Sequence, residues 1–246
     1  MAVVQILAQK TTYYDDKYIE TLASGLDTRW SYSNSKTAEN DKPLDRFKKS
    51  IDLEYNKLKK DDFSEKKFKN SKLKELALAY DNELKNGIKI LDNATESSLY
   101  DSDSEWSKHY NNRTQLLSEI NAIKAIPVKD KKTLKELLNN GNDVKKNKEL
   151  DEKIEITLSK IVFTEAPQEY ESSFKKYEAV VTNETGNNFK SFSANVYLED
   201  NSGTRIDTQY ISANDWDAGQ KVTFSFTTDK SFATVKVVKN YFEVKK

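Results

Sequence analysis

The chain has 246 residues, room for two domains of ~100–150 residues each, and its 40 basic and 40 acidic side chains cancel. The balance holds locally: residues 1–160 carry 30 basic and 28 acidic groups, residues 161–246 carry 10 and 12. Neither part has the basic excess of a nucleic-acid binder, so nucleic acid is not an expected partner. Cysteine is absent, which excludes disulfides, thiolate metal sites and a cysteine nucleophile together.

A third of the residues are charged, yet 27 aromatics supply core material, so the composition is that of a folded chain. No run approaches the ~20 apolar residues of a membrane helix. The opening stretch from Met1 to Asp16 is not a signal peptide, because its apolar part is short and no basic residue precedes it. The absence of cysteine fits many compartments and, with the abundance of Lys, Asn and Tyr, suits an exported Gram-positive protein; either the protein is cytoplasmic or an export signal is no longer attached.

Helical spacing dominates the first part. Tyr18, Leu22, Leu26 and Trp30 recur every fourth residue, widened by Ile19 and Ala23. Pro43 opens a second helix with Leu44, Phe47, Ile51, Tyr55 and Leu58. Asn70 is placed to cap a third, with Leu73, Leu76, Tyr80, Leu84, Ile88 and Leu91 on one face. A fourth carries Trp106, Tyr110, Leu117, Ile120 and Ile123 and stops before Pro127. Asp130 is placed to cap a short fifth that ends at Asn139-Asn140-Gly141, and a charged sixth starts near Asp143. One-sided stripes require partners, so these helices predict a bundle.

Composition changes near residue 160. The first 160 residues hold nineteen Leu and four Val, the last 86 one Leu and nine Val; Val suits strands. Phe192, Ala194, Val196 and Leu198 alternate with polar residues, as do Val222, Phe224 and Phe226. Residues 174–183, 204–212 and 232–244 are further strand candidates. Turn signals at Asn183–Asn188, Asp200–Gly203 and Asp217–Gly219 separate them. The expected fold is α+β in two domains: a helical bundle over 13–158, then over 159–246 an antiparallel sandwich or small barrel, of which the immunoglobulin-like β-sandwich is the form expected with the resemblance given below.

Sites for chemistry are few. His109 is the single histidine, with no second His or Cys to complete a metal site or a Ser-His-Asp set, and reads as a surface or interhelical residue. Asp61-Asp62, Asp101/Asp103 and Asp215/Asp217 lack the ligand spacing and closing Glu of a calcium loop, and Asp101–Glu105 fits helix capping better. Lysine pairs such as Lys48-Lys49, Lys59-Lys60 and Lys131-Lys132 are interleaved with acids and read as solvated helix faces. Phosphate-loop, HExxH and GxSxG motifs are absent from the sequence. No catalytic residue, metal or cofactor is expected. Arg29, Trp30, Trp106, Arg113 and Trp216 are the candidate binding residues, since Trp and Arg anchor interfaces; a Trp on an amphipathic stripe is first of all a core residue. The sequons at Asn93, Asn112 and Asn183 are incidental outside a eukaryotic secretory route.

The β part resembles the FxLYD-domain pattern of Gram-positive surface lipoproteins. Ala179-Val-Val-Thr-Asn183-Glu-Thr185 is similar to the family's first strand. Val196-Tyr-Leu198-Glu-Asp200 lies where the Phe-x-Leu-Tyr-Asp motif falls, with Leu198 and Asp200 matching it and Val196 and Glu199 departing from it. Gly203 follows in the turn, and Trp216-Asp-Ala-Gly219 resembles the stretch before the next strand. The resemblance spans about residues 170–245. The segments Gly25–Trp30 and Trp106–Arg113 are similar to the helical domain that accompanies such modules. What this implies is a non-enzymatic protein at the cell surface, tethered by a lipidated cysteine ahead of this sequence, that binds or scaffolds an unidentified protein or cell-wall polymer. The other class kept open is an intracellular or phage-encoded structural or interaction protein.

Overall fold

A computed structural model of the chain describes residues 11–168 and 172–245. The opening apolar stretch, apart from its end, lies outside these residues. The fold is α+β: six helices come first, then two small antiparallel sheets. The helices are α1 (Asp15–Ser33), α2 (Lys36–Asn40), α3 (Pro43–Lys59), α4 (Ser71–Asn93), α5 (Glu105–Ile123) and α6 (Lys131–Ser159). The strands are β1 (Thr164–Glu165), β2 (Lys175–Thr182), β3 (Phe189–Glu199), β4 (Arg205–Trp216), β5 (Lys221–Thr228) and β6 (Thr234–Val244). Two compact units result, Met1–Lys145 and Lys146–Lys246.

Helix starts follow local chemistry. Asn70 accepts the Leu73 amide at 3.0 Å to open α4, and Ser104 accepts the Ser107 amide at 3.1 Å to open α5. Asp130 does the same for α6 through the amide and hydroxyl of Thr133. The apolar stripes meet in one core that includes Tyr18, Leu22, Leu26, Ile51, Tyr80, Leu84 and Leu117.

One prediction is corrected here. The Asn139-Asn140-Gly141 stop does not exist, and α6 runs unbroken from Lys131 to Ser159. Gly141 serves a close approach instead of a cap: a Cβ on it would lie 2.1 Å from the Thr114 carbonyl oxygen on α5. The division between units falls inside α6 and not at its end. Leu150, Ile154 and Leu158 share their core with Ala179, Val181, Phe192, Trp216 and Phe224.

The two sheets have strand orders β1-β2-β5 and β4-β3-β6, antiparallel throughout. Period-two alternation sets which face each strand buries. Ala179, Val181, Phe224 and Phe226 of the first sheet and Phe192, Ala194, Val196 and Leu198 of the second contribute to one shared core. Bulges at Ser193/Ala194 and Leu198/Glu199 shift the register along β3.

Candidate functional site

Helical geometry puts an acid where an apolar residue is expected. Glu54 lies on the buried stripe of α3, three residues after Ile51 and four before Leu58, and is fully buried. Arg113 occupies the same kind of position on α5, four residues before Leu117, and is 2 % exposed. Arg29 of α1 reaches Glu54 Oε2 at 2.7 Å. One terminal nitrogen of Arg113 donates to both carboxylate oxygens, at 3.0 and 2.9 Å, and the Tyr80 hydroxyl donates to Oε1. Gly25 permits the α1–α3 approach, since a Cβ there would sit 3.2 Å from the Glu54 carbonyl oxygen.

Burial alone would raise the Glu54 carboxyl, but Arg113 and Arg29 outweigh it and hold the group at about 2. Burial works against the charge of Arg113, and Glu54 and Tyr80 more than offset it, so this guanidinium binds its proton more tightly than usual. Two cations therefore face one carboxylate in a dry core. Breaking such a set exposes the charge left behind to the full desolvation cost. The arrangement is held closed by its own members and can orient helices.

His109 is an interhelical residue. Its ring stacks on Trp106 with centroids 4.9 Å apart, and Nδ1 lies 2.7 Å from Glu83 Oε1. Gly87 makes room for it: a Cβ there would meet the ring at 2.5 Å. Nε2 is buried without a hydrogen-bond partner. Burial lowers the His109 pKa and the nearby guanidiniums lower it further, against the pull of Glu83.

The surface patch expected of Arg29, Trp30, Trp106 and Arg113 is thereby corrected. Both indoles are buried, Arg113 with them, and Arg29 is half-buried with its guanidinium on Glu54. The structure brings the two arginines together, but as core residues, because the helical period places them on the same stripes as Leu26 and Leu117. Trp106 still edges a groove of about 550 Å³ beside Ile90, Asn93 and Asp101, and a second groove of about 770 Å³ runs along Ser24, Asp27, Thr28 and Ser31. Glu54 escaped the sequence reading, which has Tyr80 only as one of the apolar stripe; the available signal was an acidic residue spaced as part of such a stripe.

Trp216 ends β4 inside the core, 1 % exposed, with its ring against Phe192 and Phe224 and its Nε1 donating to the Gln220 carbonyl at 3.0 Å. It is tied to Asn183. The Asn183 amide donates to the carbonyls of Asn187 (2.8 Å) and Trp216 (3.0 Å), while Oδ1 accepts the Thr185 amide and hydroxyl. The Gly219 amide donates to the Asn183 carbonyl at 2.8 Å, and Gly219 takes φ +77°. At the β3–β4 turn, Asp200 accepts the amides of Ser202 and Thr204, and Gly203 takes φ +79°. Val196 and Leu198 are fully buried.

The acidic pairs have local roles. Asp61 accepts the Thr21 hydroxyl, Asp62 accepts the Ser64 amide, Asp101 accepts the Asp103 amide, and Asp215 and Asp217 both pair with Lys245. Among the described residues no group of three or more His, Asp or Glu side chains is placed to hold a metal, and no helix is long and apolar enough to cross a membrane. Comparison with family models, with curated proteins and with solved structures returns no match.

Proposed function

We propose that the chain is a non-enzymatic binding or scaffolding protein of the Gram-positive cell envelope, lipid-anchored ahead of this sequence, whose second unit is an immunoglobulin-like sandwich of the FxLYD type. One observation carries the reading. The residues of the family resemblance are those that hold the β unit together: Asn183, Thr185, Trp216 and Gly219 form one hydrogen-bonded knot, while Val196 and Leu198 fill the core and Asp200 and Gly203 form the hairpin. A shared core between two antiparallel sheets supports the sandwich. Charged side chains of the helical core are bonded to one another in a closed set, which favours support over catalysis.

The test uses the full gene product in its own cells. Metabolic labelling with an alkyne-tagged palmitate, followed by fractionation and protease treatment of intact cells, reads the anchor and the exposure together. A labelled, protease-accessible membrane protein supports the proposal. An unlabelled, protected protein in the cytosolic fraction overturns it in favour of an intracellular scaffold.

A further inference from the structure

The head of α5 is held to the bundle by few groups. Across residues 105–112, the buried side chains are those of Trp106 and His109. From Arg113 onward the anchoring changes character: Arg113 is bonded to Glu54, and Leu117 and Ile120 are fully buried. Asn111 and Asn112 lie between the two parts, and asparagine is a weak helix former. Ahead of the helix, residues 94–104 contribute Leu99 as their one buried side chain.

Of the two anchors, His109 can take up a proton. Its side chain is 1 % exposed, and Glu83 Oε1 lies 2.7 Å from Nδ1. A carboxylate only accepts, so the neutral ring carries its hydrogen on Nδ1 and leaves Nε2 a bare acceptor. Nε2 is buried without a partner and wedged at Gly87, where it and the Ile51 Cδ1 both fall 2.6 Å from the place a Cβ would take. A proton there creates a buried N–H with no acceptor. Burial opposes the charged ring most; Arg113 of α5 and Arg29 of α1 oppose it too, while Glu83 of α4 favours it. Glu54 of α3 is already engaged by both guanidiniums.

The imidazole also covers Trp106. The two rings stack with centroids 4.9 Å apart, and Phe47 of α3 meets the indole edge-on at 5.3 Å. The same indole borders the groove of about 550 Å³ beside Ile90, Ala94, Ser98 and Asp101. Ring, indole and groove are thus in series, and a displacement of the α5 head alters all three.

We propose that His109 is an acid-operated latch: on taking up a proton it leaves its wedge beside Gly87, and the head of α5 swings from α4 about Asn111 and Asn112, baring the Trp106 face that the imidazole covers and widening the groove. Glu83, whose side chain is 14 % exposed, keeps its bond to the departing imidazolium while Nε2–H gains water as its acceptor. The bonds of Arg113 to Glu54, and the close approach of Thr114 to Gly141, hold the rest of the helix in place. The latch is a property of the helical unit and operates wherever the chain resides.

Hydrogen exchange of the full chain, read by NMR as protection factors between about pH 8 and about pH 5, tests the latch. The Trp106 indole and the amides of Lys108, His109 and Tyr110 are expected to lose protection below about pH 6.5, by up to about tenfold per pH unit, the limit for one proton. The amides of Leu26 on α1 and of Leu117 and Ile120 on α5 keep theirs. His109→Gln removes the pH dependence. Glu83→Gln leaves an acceptor on Nδ1 but takes away the charge that favours the imidazolium. It should match the parent at the alkaline end and open further than the parent at the acid end, a contrast that loss of a merely structural contact does not produce. The proposal is overturned if protection at the α5 head is flat across the range, if Leu26 and Leu117 lose protection in the same step, or if His109→Gln keeps the slope. Should His109→Gln fail to fold, the comparison of Glu83→Gln with the parent decides alone: equal exchange at the acid end overturns the latch.

Discussion

Glu54 receives one nitrogen of Arg113 on both of its carboxylate oxygens, at 3.0 and 2.9 Å, in the middle of the helical core. Arg29 and Tyr80 complete the set. Glu54→Gln leaves two guanidiniums facing each other without a counter-charge. It is expected to cost about 3–5 kcal/mol, the range for removing one partner of a buried ion pair. Replacing all three charged residues with Met or Leu should recover most of that loss, because the desolvation cost disappears with the charges. Urea denaturation followed by far-ultraviolet dichroism measures both.

Acid has a predictable effect at the same place. The folded Glu54 carboxyl sits at about 2, below its ordinary 4.5. A depressed acid contributes stability that is fully present above pH 4.5 and is lost as the pH falls toward 2. The Glu54→Gln variant should lack this component, so its stability relative to the parent should converge as acid is added through that window. Urea midpoints taken along a pH series read the convergence.

His109 acts in a higher window with its own sign. Its folded pKa lies below the ordinary 6.5, so the unfolded chain binds the proton first. Stability should therefore be complete above about pH 6.5 and fall as the pH drops below it, by at most about 1.4 kcal/mol per pH unit for one proton. His109→Gln should flatten that slope. As the chain has a single histidine, one imidazole NMR resonance follows the titration directly, and a midpoint at or above 6.5 would contradict the buried geometry.

Gly141→Ala sets propensity against space. Alanine is the better helix former by roughly 1 kcal/mol, yet its Cβ would lie 2.1 Å from the Thr114 carbonyl oxygen, which is backbone and cannot swing aside. The clash should win, with a net loss of about 1–3 kcal/mol. Gly25→Ala, whose nearest atom is at 3.2 Å, should cost less. Thermal melts of the two variants rank them.

Asn183→Ala removes the side chain that ties the β2–β3 and β4–β5 turns together. Its amide serves Asn187 and Trp216, and its oxygen serves Thr185. The buried groups left without partners should cost about 1–3 kcal/mol each. Red-shifted fluorescence from Trp216 together with a lower urea midpoint would register the loss.

Element type was legible because periodicity is a local property. The stripes Tyr18–Trp30 and Leu73–Leu91 became α1 and α4, and the alternation through Phe192–Leu198 became β3. Capping by Asn70 and Asp130 followed from side chains that accept nearby amides. Gly141 was not legible as a helix interior: glycine ends a helix or lets two elements touch, and which applies depends on where α5 lies. Arg29, Trp30, Trp106 and Arg113 were legible as a group of Trp and Arg, but not as core, because a cation is buried only where a carboxylate meets it.

By itself the sequence determined the two kinds of structure, the change near residue 160 and most element boundaries, all consequences of spacing along the chain. Tertiary structure alone decided what faces what. It put Glu54 between two arginines, carried Leu150, Ile154 and Leu158 into the β core, and set Tyr210 and Tyr241 on either side of β3. Such relations join residues far apart in sequence, and charge neutralisation, close packing and strand register fix them only when distant segments meet.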